Sequence, residues 1–158
     1  MTTEGGVVKT LKTLAAGAAL AAVMTMPLAA QTTKPDALVN PNVAPEHELA
    51  ALPHMNATLA KVIVSQRPFK TMIELNALLV KSLTKEQLIE LYGRMFIPID
   101  LNTASREEML LIPGVGNRMV GEFEEYRPYK EIGRFRKEIG KYVKPEEVAR
   151  LERYVTIK

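Results

Sequence analysis

"LLIPGVGNRMV", residues 110–120, places two of the chain's nine glycines on either side of one valine, just after a proline and just before a segment with helical spacing. A turn this tight between two helices gathers the unpaired N–H groups at the start of the second helix. Glycine then removes the side chains that would hold an anion away from them. The natural ligand of such a point is a phosphate or a carboxylate. Arg118, two residues past the second glycine, is placed to add a charged donor.

Outward from the hairpin the chain repeats itself. With Asn42 set against Asn102, a constant offset of 60 runs to the C-terminus without a gap, laying "NVAPEHELAALPHM" on "NTASREEMLLIPGV" and "RPFK" on "RPYK". Identities include Ala44/Ala104, Glu48/Glu108, Pro53/Pro113, Arg67/Arg127, Lys70/Lys130 and Leu91/Leu151. Two copies are too few for a solenoid, so the pattern is a duplicated small module. What both copies keep is architectural; what only the second keeps is a candidate for function.

Each copy reads as four short helices. In the second, Ser105 and Glu108 form an S-x-x-E capping box, and the next helix starts near Asn117 and stops before Arg127-Pro128. A third spans about residues 131–139 with Gly140 as its C-cap, and a fourth opens at Pro145. Thr71 with Glu74 and Thr84 with Gln87 are capping boxes in the first copy. Strand signals are absent, so the class is all-α, two tandem helix-hairpin-helix units. Leu49, Leu52, Leu59, Ile63, Leu75, Leu88 and Leu91 are expected to fill one core. Met109, Ile112, Phe123, Ile132, Phe135, Val148 and Leu151 are expected to fill the other.

The N-terminus has a different character. After Lys9 and Lys12 an uncharged apolar run, residues 14–30, carries Pro27 near its end and small residues before Gln31, the layout of a cleavable secretory signal peptide. An uncleaved membrane anchor is the alternative, at the short edge of the roughly 17 to 25 residues a span needs. The expected organisation is a signal peptide at 1–30, a flexible lead-in at 31–41, a degenerate unit at 42–98 and a unit with the intact hairpin at 99–158. The protein is expected in the periplasm or secreted. With no cysteine, a lipid-modified thiol, a disulfide framework and a thiolate metal site are excluded. Removing Glu4, Lys9 and Lys12 from 21 basic and 18 acidic residues leaves 19 and 17, a nearly balanced surface.

"LNTASREEMLLIPGVGNRMV" followed by "YRPYK" resembles the helix-hairpin-helix module of the ComEA-type competence proteins, extracytoplasmic receptors that bind double-stranded DNA without sequence preference during uptake. The resemblance covers residues 101–130 well and the rest of that copy loosely. It implies Gly114, Val115 and Gly116 as backbone donors to DNA phosphate, with Asn117 opening the helix and Arg118 at a phosphate-binding position. Lys141 and Lys144 could reach a flanking phosphate. Some hairpins of this type also hold a monovalent cation on turn carbonyls, which these residues neither require nor forbid; no other cofactor is implied.

The chain departs from that pattern in four ways. Val120 stands where a small residue is usual and Glu124 where an apolar one is; Glu122, Glu124 and Glu125 put three negative charges beyond the hairpin; and the later Gly-apolar-Gly hairpin is missing from "IGKYVKPEEV". In the first copy "LPHMN" replaces "IPGVG", with His54 and Asn56 at the glycine positions, and Asn can supply a left-handed backbone. Its "LAKVIVSQRPFK" stretch resembles the degenerate hairpins of PsbU, a lumenal extrinsic subunit of photosystem II that binds protein.

The basic run from Lys130 to Lys144 is interleaved with Glu131 and Glu138 and reads as a solvated helical face with i,i+4 pairs. His47 and His54 lack the spaced partners of a metal site. Adjacent glutamates along a helix point apart, so no arrangement suggests catalysis or a small-molecule substrate. Base-excision glycosylases also use this hairpin, but they need a larger fold and a catalytic aspartate downstream, and no aspartate follows Asp100. Two functions stay open: sequence-independent binding of duplex DNA, or a non-catalytic module for protein partners such as other envelope proteins.

Overall fold

The structure is a computed structural model and describes residues 37–158, all within one compact unit. The expected signal segment lies outside the described residues. Eight helices follow one another: α1 (Glu46–Ala50), α2 (Ala57–Ser65), α3 (Met72–Leu79) and α4 (Lys85–Tyr92), then α5 (Arg106–Met109), α6 (Asn117–Glu125), α7 (Ile132–Ile139) and α8 (Pro145–Glu152). The offset of 60 holds to the residue: α2, α3 and α4 begin and end 60 positions before α6, α7 and α8.

Each copy is closed by a short parallel pairing that the sequence does not announce. In the first, Val39 bridges Met95; in the second, β1 (Ile99–Asp100) pairs with β2 (Val155–Thr156), Ile99 opposite Val155. Two residues are too few to show the alternation by which a strand is read from sequence. The pairing also draws Val39 out of the expected lead-in, because its N–H donates to Arg94 O at 2.8 Å and its carbonyl accepts from Phe96.

The residues both copies keep form the same knot twice. Asn42 donates to the Phe69 carbonyl and accepts its N–H, at 2.9 and 2.8 Å; Asn102 does the same with Tyr129, at 2.9 and 2.7 Å. Arg67 donates to the carbonyls of Pro41 and Ala44, and Arg127 to those of Leu101 and Ala104. The Arg67-Pro68 and Arg127-Pro128 peptides are both cis. Each knot ties the start of its copy to the end of the hairpin helix.

Glu48 and Glu108 do not share a role. Glu108 is buried, and its carboxylate accepts the N–H of Met72 at 2.8 Å, capping helix α3 of the other copy. The S-x-x-E box is therefore only half formed: Ser105 accepts from Glu108 N, while the Glu108 carboxylate is spent across the seam. Glu74 likewise turns to Lys70 N, and only Thr84/Gln87 is reciprocal. The expected core residues are buried apart from Leu52 and Ile132, which are partly covered. They form a single cluster rather than two, continued through the seam by Phe96 edge-on to Tyr154, centroids 4.9 Å apart.

Arg127→Met, which orphans two carbonyls, is expected to cost about 2–4 kcal/mol in urea unfolding. Glu108→Ala, which strands the Met72 N–H, is expected to cost about 1–3 kcal/mol. Glu48→Ala is expected to stay within about 0.5 kcal/mol of the parent.

Candidate functional site

The hairpin of the second copy is built from the end of α5 and the start of α6. The Val115 N–H donates to the Ile112 carbonyl at 3.0 Å and closes the turn, and the Val115 side chain is buried. Its amide is thus consumed by the turn, a correction to its expected role as a donor to phosphate. The backbone folds this way because Gly114 takes φ of 80°, in the left-handed region that disfavours side chains.

Gly116 is there for a different reason. It is the N-cap of α6 in extended backbone, φ −110°, which any residue could adopt, and a Cβ added there would meet nothing within 4 Å. No side chain caps α6, and the N–H groups of Asn117 and Arg118 have no partner among the described residues. The first copy shows what another residue does at this point. Asn56, equally extended at φ −148°, turns its side chain onto the Leu59 N–H at 2.8 Å and occupies the helix start itself. The left-handed residue of that hairpin is His54, φ 61°, rather than Asn56, because capping requires extended backbone.

A cation that sequence reasoning missed sits at the second hairpin. A Cβ on Gly114 would lie 3.3 Å from Nη2 of Arg150, on α8. Its counterpart in the first copy is Glu90, whose carboxylate meets His54 Nε2 at 2.6 Å. The ion nearest the turn is therefore opposite in sign between the copies: His54–Glu90 fills the first, while Gly114 leaves the second open beside Arg150, which is itself paired with Glu147. The offset alone pairs Glu90 with Arg150, and that opposition of sign was the signal available. Arg150 is oriented by two hydrogen bonds to Glu147, at 2.8 and 2.7 Å, and lies 5.6 Å from the centroid of Tyr154. Its guanidinium holds the Glu147 carboxyl below the usual carboxylate range.

Gly114, Gly116, Asn117 and Arg118 are all exposed on this corner. Lys141 is committed elsewhere: it ion-pairs with Glu138 and lies over the Tyr126 ring, 5.1 Å from its centroid. The Glu138 carboxylate raises its pKa above the ordinary lysine value. Lys144 is exposed as the N-cap residue of α8. The basic run makes an i,i+3 pair and the cross-helix pair Arg136–Glu152, in place of the i,i+4 pairs expected.

The three carboxylates beyond the hairpin are less opposed to an anion than their number suggests. Glu124 is paired with Arg106. Glu122 lies beside the Tyr142 hydroxyl, with one carboxylate oxygen buried and without a hydrogen-bond partner among the described residues. Tyr142 is bonded first to Tyr126 and then to Glu122, and both hydrogen bonds push its pKa up. Glu125 alone is exposed. Among the described residues there is no group of three or more His, Cys, Asp or Glu that could hold a metal ion, and no helix long and apolar enough to cross a membrane. Compared with protein-family models, curated proteins and solved structures, the chain matches none.

Gly114→Ala is expected to cost about 1–2 kcal/mol in urea unfolding, because a side chain is strained at this φ. Gly116→Asn is expected to raise stability by a few tenths of a kcal/mol, roughly the advantage of an asparagine cap over glycine.

Proposed function

We propose that the chain binds double-stranded DNA without sequence preference, gripping backbone phosphate at the corner formed by Gly114, Gly116, Asn117, Arg118 and Arg150. A phosphate oxygen would accept from the open N–H groups of Asn117 and Arg118 at the positive end of α6. The two guanidiniums would supply charge from either side. Contacts of this kind position a duplex but read no bases, which is why the binding would be indifferent to sequence.

One observation carries this reading. At the two positions where a side chain would block the helix start, the first copy fills the space with Asn56 and the His54–Glu90 pair, and the second copy opens it with Gly116 and Gly114–Arg150. With few phosphates engaged, affinity belongs near the non-specific range of about 10⁻⁴ to 10⁻⁶ M. Useful retention of a long duplex would then depend on several copies acting together. The signal-like N-terminus supports a place outside the cytoplasm, where DNA capture for uptake is the role the resemblance suggests. No catalytic step, small-molecule substrate or cofactor enters this reading. The closed first hairpin favours a second reading, a module for protein partners that kept the fold without the ligand.

The test is binding to a labelled random-sequence duplex across a salt series, using the full chain. Affinity is expected to fall steeply with salt. Gly116→Asn, folded and slightly stabilised, sets a side chain in the helix start and takes the Met119 N–H as Asn56 takes that of Leu59, and is expected to lose about tenfold or more. Glu147→Gln, which removes an anion beside Arg150, is expected to bind a few-fold tighter at low salt. No binding at low salt, or a Gly116→Asn variant equal to the parent, would leave the hairpin as a turn and move the assignment to protein partners.

A further inference from the structure

The seam between the two copies has a donor side and a receiving side. The second copy supplies Glu108, Tyr154 and the turn 110–115; the first receives them on Met72, Asn76, Leu88, Tyr92 and Phe96. Because the copies share one fold, each face exists twice. The first copy carries an unused donor face, with Glu48 in place of Glu108 and Arg94 in place of Tyr154. The second carries an unused receiving face, with Ile132, Arg136, Val148, Glu152 and Thr156 in place of the residues named above.

Among the described residues both unused faces are partly open. Met72, Tyr92 and Phe96 are buried under the second copy, while their counterparts Ile132, Glu152 and Thr156 are only partly covered. Helix α7 starts after Glu131 with no side-chain cap, whereas α3, its counterpart, is doubly served by Thr71 and by Glu108 from across the seam. A groove of about 280 Å³ lined by Arg136, Pro145, Val148, Ala149 and Glu152 repeats, position for position, the wall that receives the turn 110–115 in the first copy. The Glu48 carboxylate and the Arg94 guanidinium have no hydrogen-bond partner among the described residues.

We infer that these faces join one chain to the next, head to tail, so that the donor face of one molecule docks on the receiving face of another as the second copy docks on the first. Glu48 of one molecule then caps α7 of its neighbour, reproducing the Glu108–Met72 bond. In place of the aromatic ladder Tyr92–Phe96–Tyr154 stand Glu152, already paired with Arg136, Thr156 and the incoming Arg94, so the joint lacks the ring packing of the internal seam. Smaller residues on the donor side, Ala50 and Ala51 against Leu110 and Leu111, make the joint weaker than the internal seam. Such a heterologous contact leaves a free face at each end of a pair, so it generates open rows or larger rings rather than a twofold dimer. The inference is independent of the DNA reading.

Sedimentation of the full chain without DNA, over a wide concentration range and at two salt concentrations, tests it. The mass average is expected to rise with concentration past the dimer and to fall with salt. Glu48→Arg on the donor face and Ala149→Arg on the receiving face are each expected to weaken association by about tenfold or more, Glu48→Arg by losing a charged hydrogen bond and Ala149→Arg by crowding the groove. Both variants would first be shown by circular dichroism to keep their helices. Mixing the two is expected to restore a single joint, giving a dimer that neither variant forms alone and that does not grow. A monomer at every concentration would make the polar replacements an end cap and overturn the inference. So would association that survives both variants, or a dimer formed by either variant alone.

Discussion

The guanidinium of Arg127, shared between the carbonyls of Leu101 and Ala104, is the contact on which the geometry of the second hairpin depends. It ties the chain entering α5 to the chain leaving α6, so the turn between those helices is held at its two far ends. Asn102 adds a second tie to Tyr129, whose buried ring carries a hydroxyl pushed up to about 12, mainly by desolvation. With both ends fixed, a hairpin of so few residues can present amides at a defined angle without bulky side chains of its own. The same ties recur through Arg67 and Asn42, so the two copies share one shape although their hairpins differ in chemistry.

That division of labour separates the ties that hold the fold from the residues that shape the helix start. Asn42/Asn102 and Arg67/Arg127, common to both copies, bind backbone at sites remote from the turn and tolerate either hairpin. At the helix start the copies differ in kind: glycine against asparagine, and arginine against glutamate. An asparagine cap satisfies one amide and stabilises its helix, whereas glycine leaves that amide open and forgoes the gain. A site that binds an anion gives up a small part of its own stability, because the donors it offers must not already be used.

The seam adds a constraint that acts between copies. Glu108 could have completed its own capping box, yet its carboxylate reaches the first helix turn of the other copy, where a buried N–H would otherwise lack a partner. This bond fixes one rotation of the second copy on the first, and the Phe96–Tyr154 contact fills the space beside it. One continuous core results, and the first copy becomes a rigid support for the open hairpin.

The sequence by itself determined the duplication, the eight helices, most of the buried positions and the glycine hairpin, because each is a local pattern: helical spacing, capping residues, or glycine where the backbone must turn. It also marked Arg67 and Arg127 as architectural through their recurrence, though it could not name the carbonyls they hold. Tertiary structure alone decided which of two equivalent glutamates crosses the seam, that Arg150 stands beside Gly114, that the Val115 amide is used up inside the turn, and that Val39 belongs to the fold. These depend on groups from 3 to 57 positions apart along the chain meeting in space. A carboxylate in sequence has many candidate donors; only packing removes all but one.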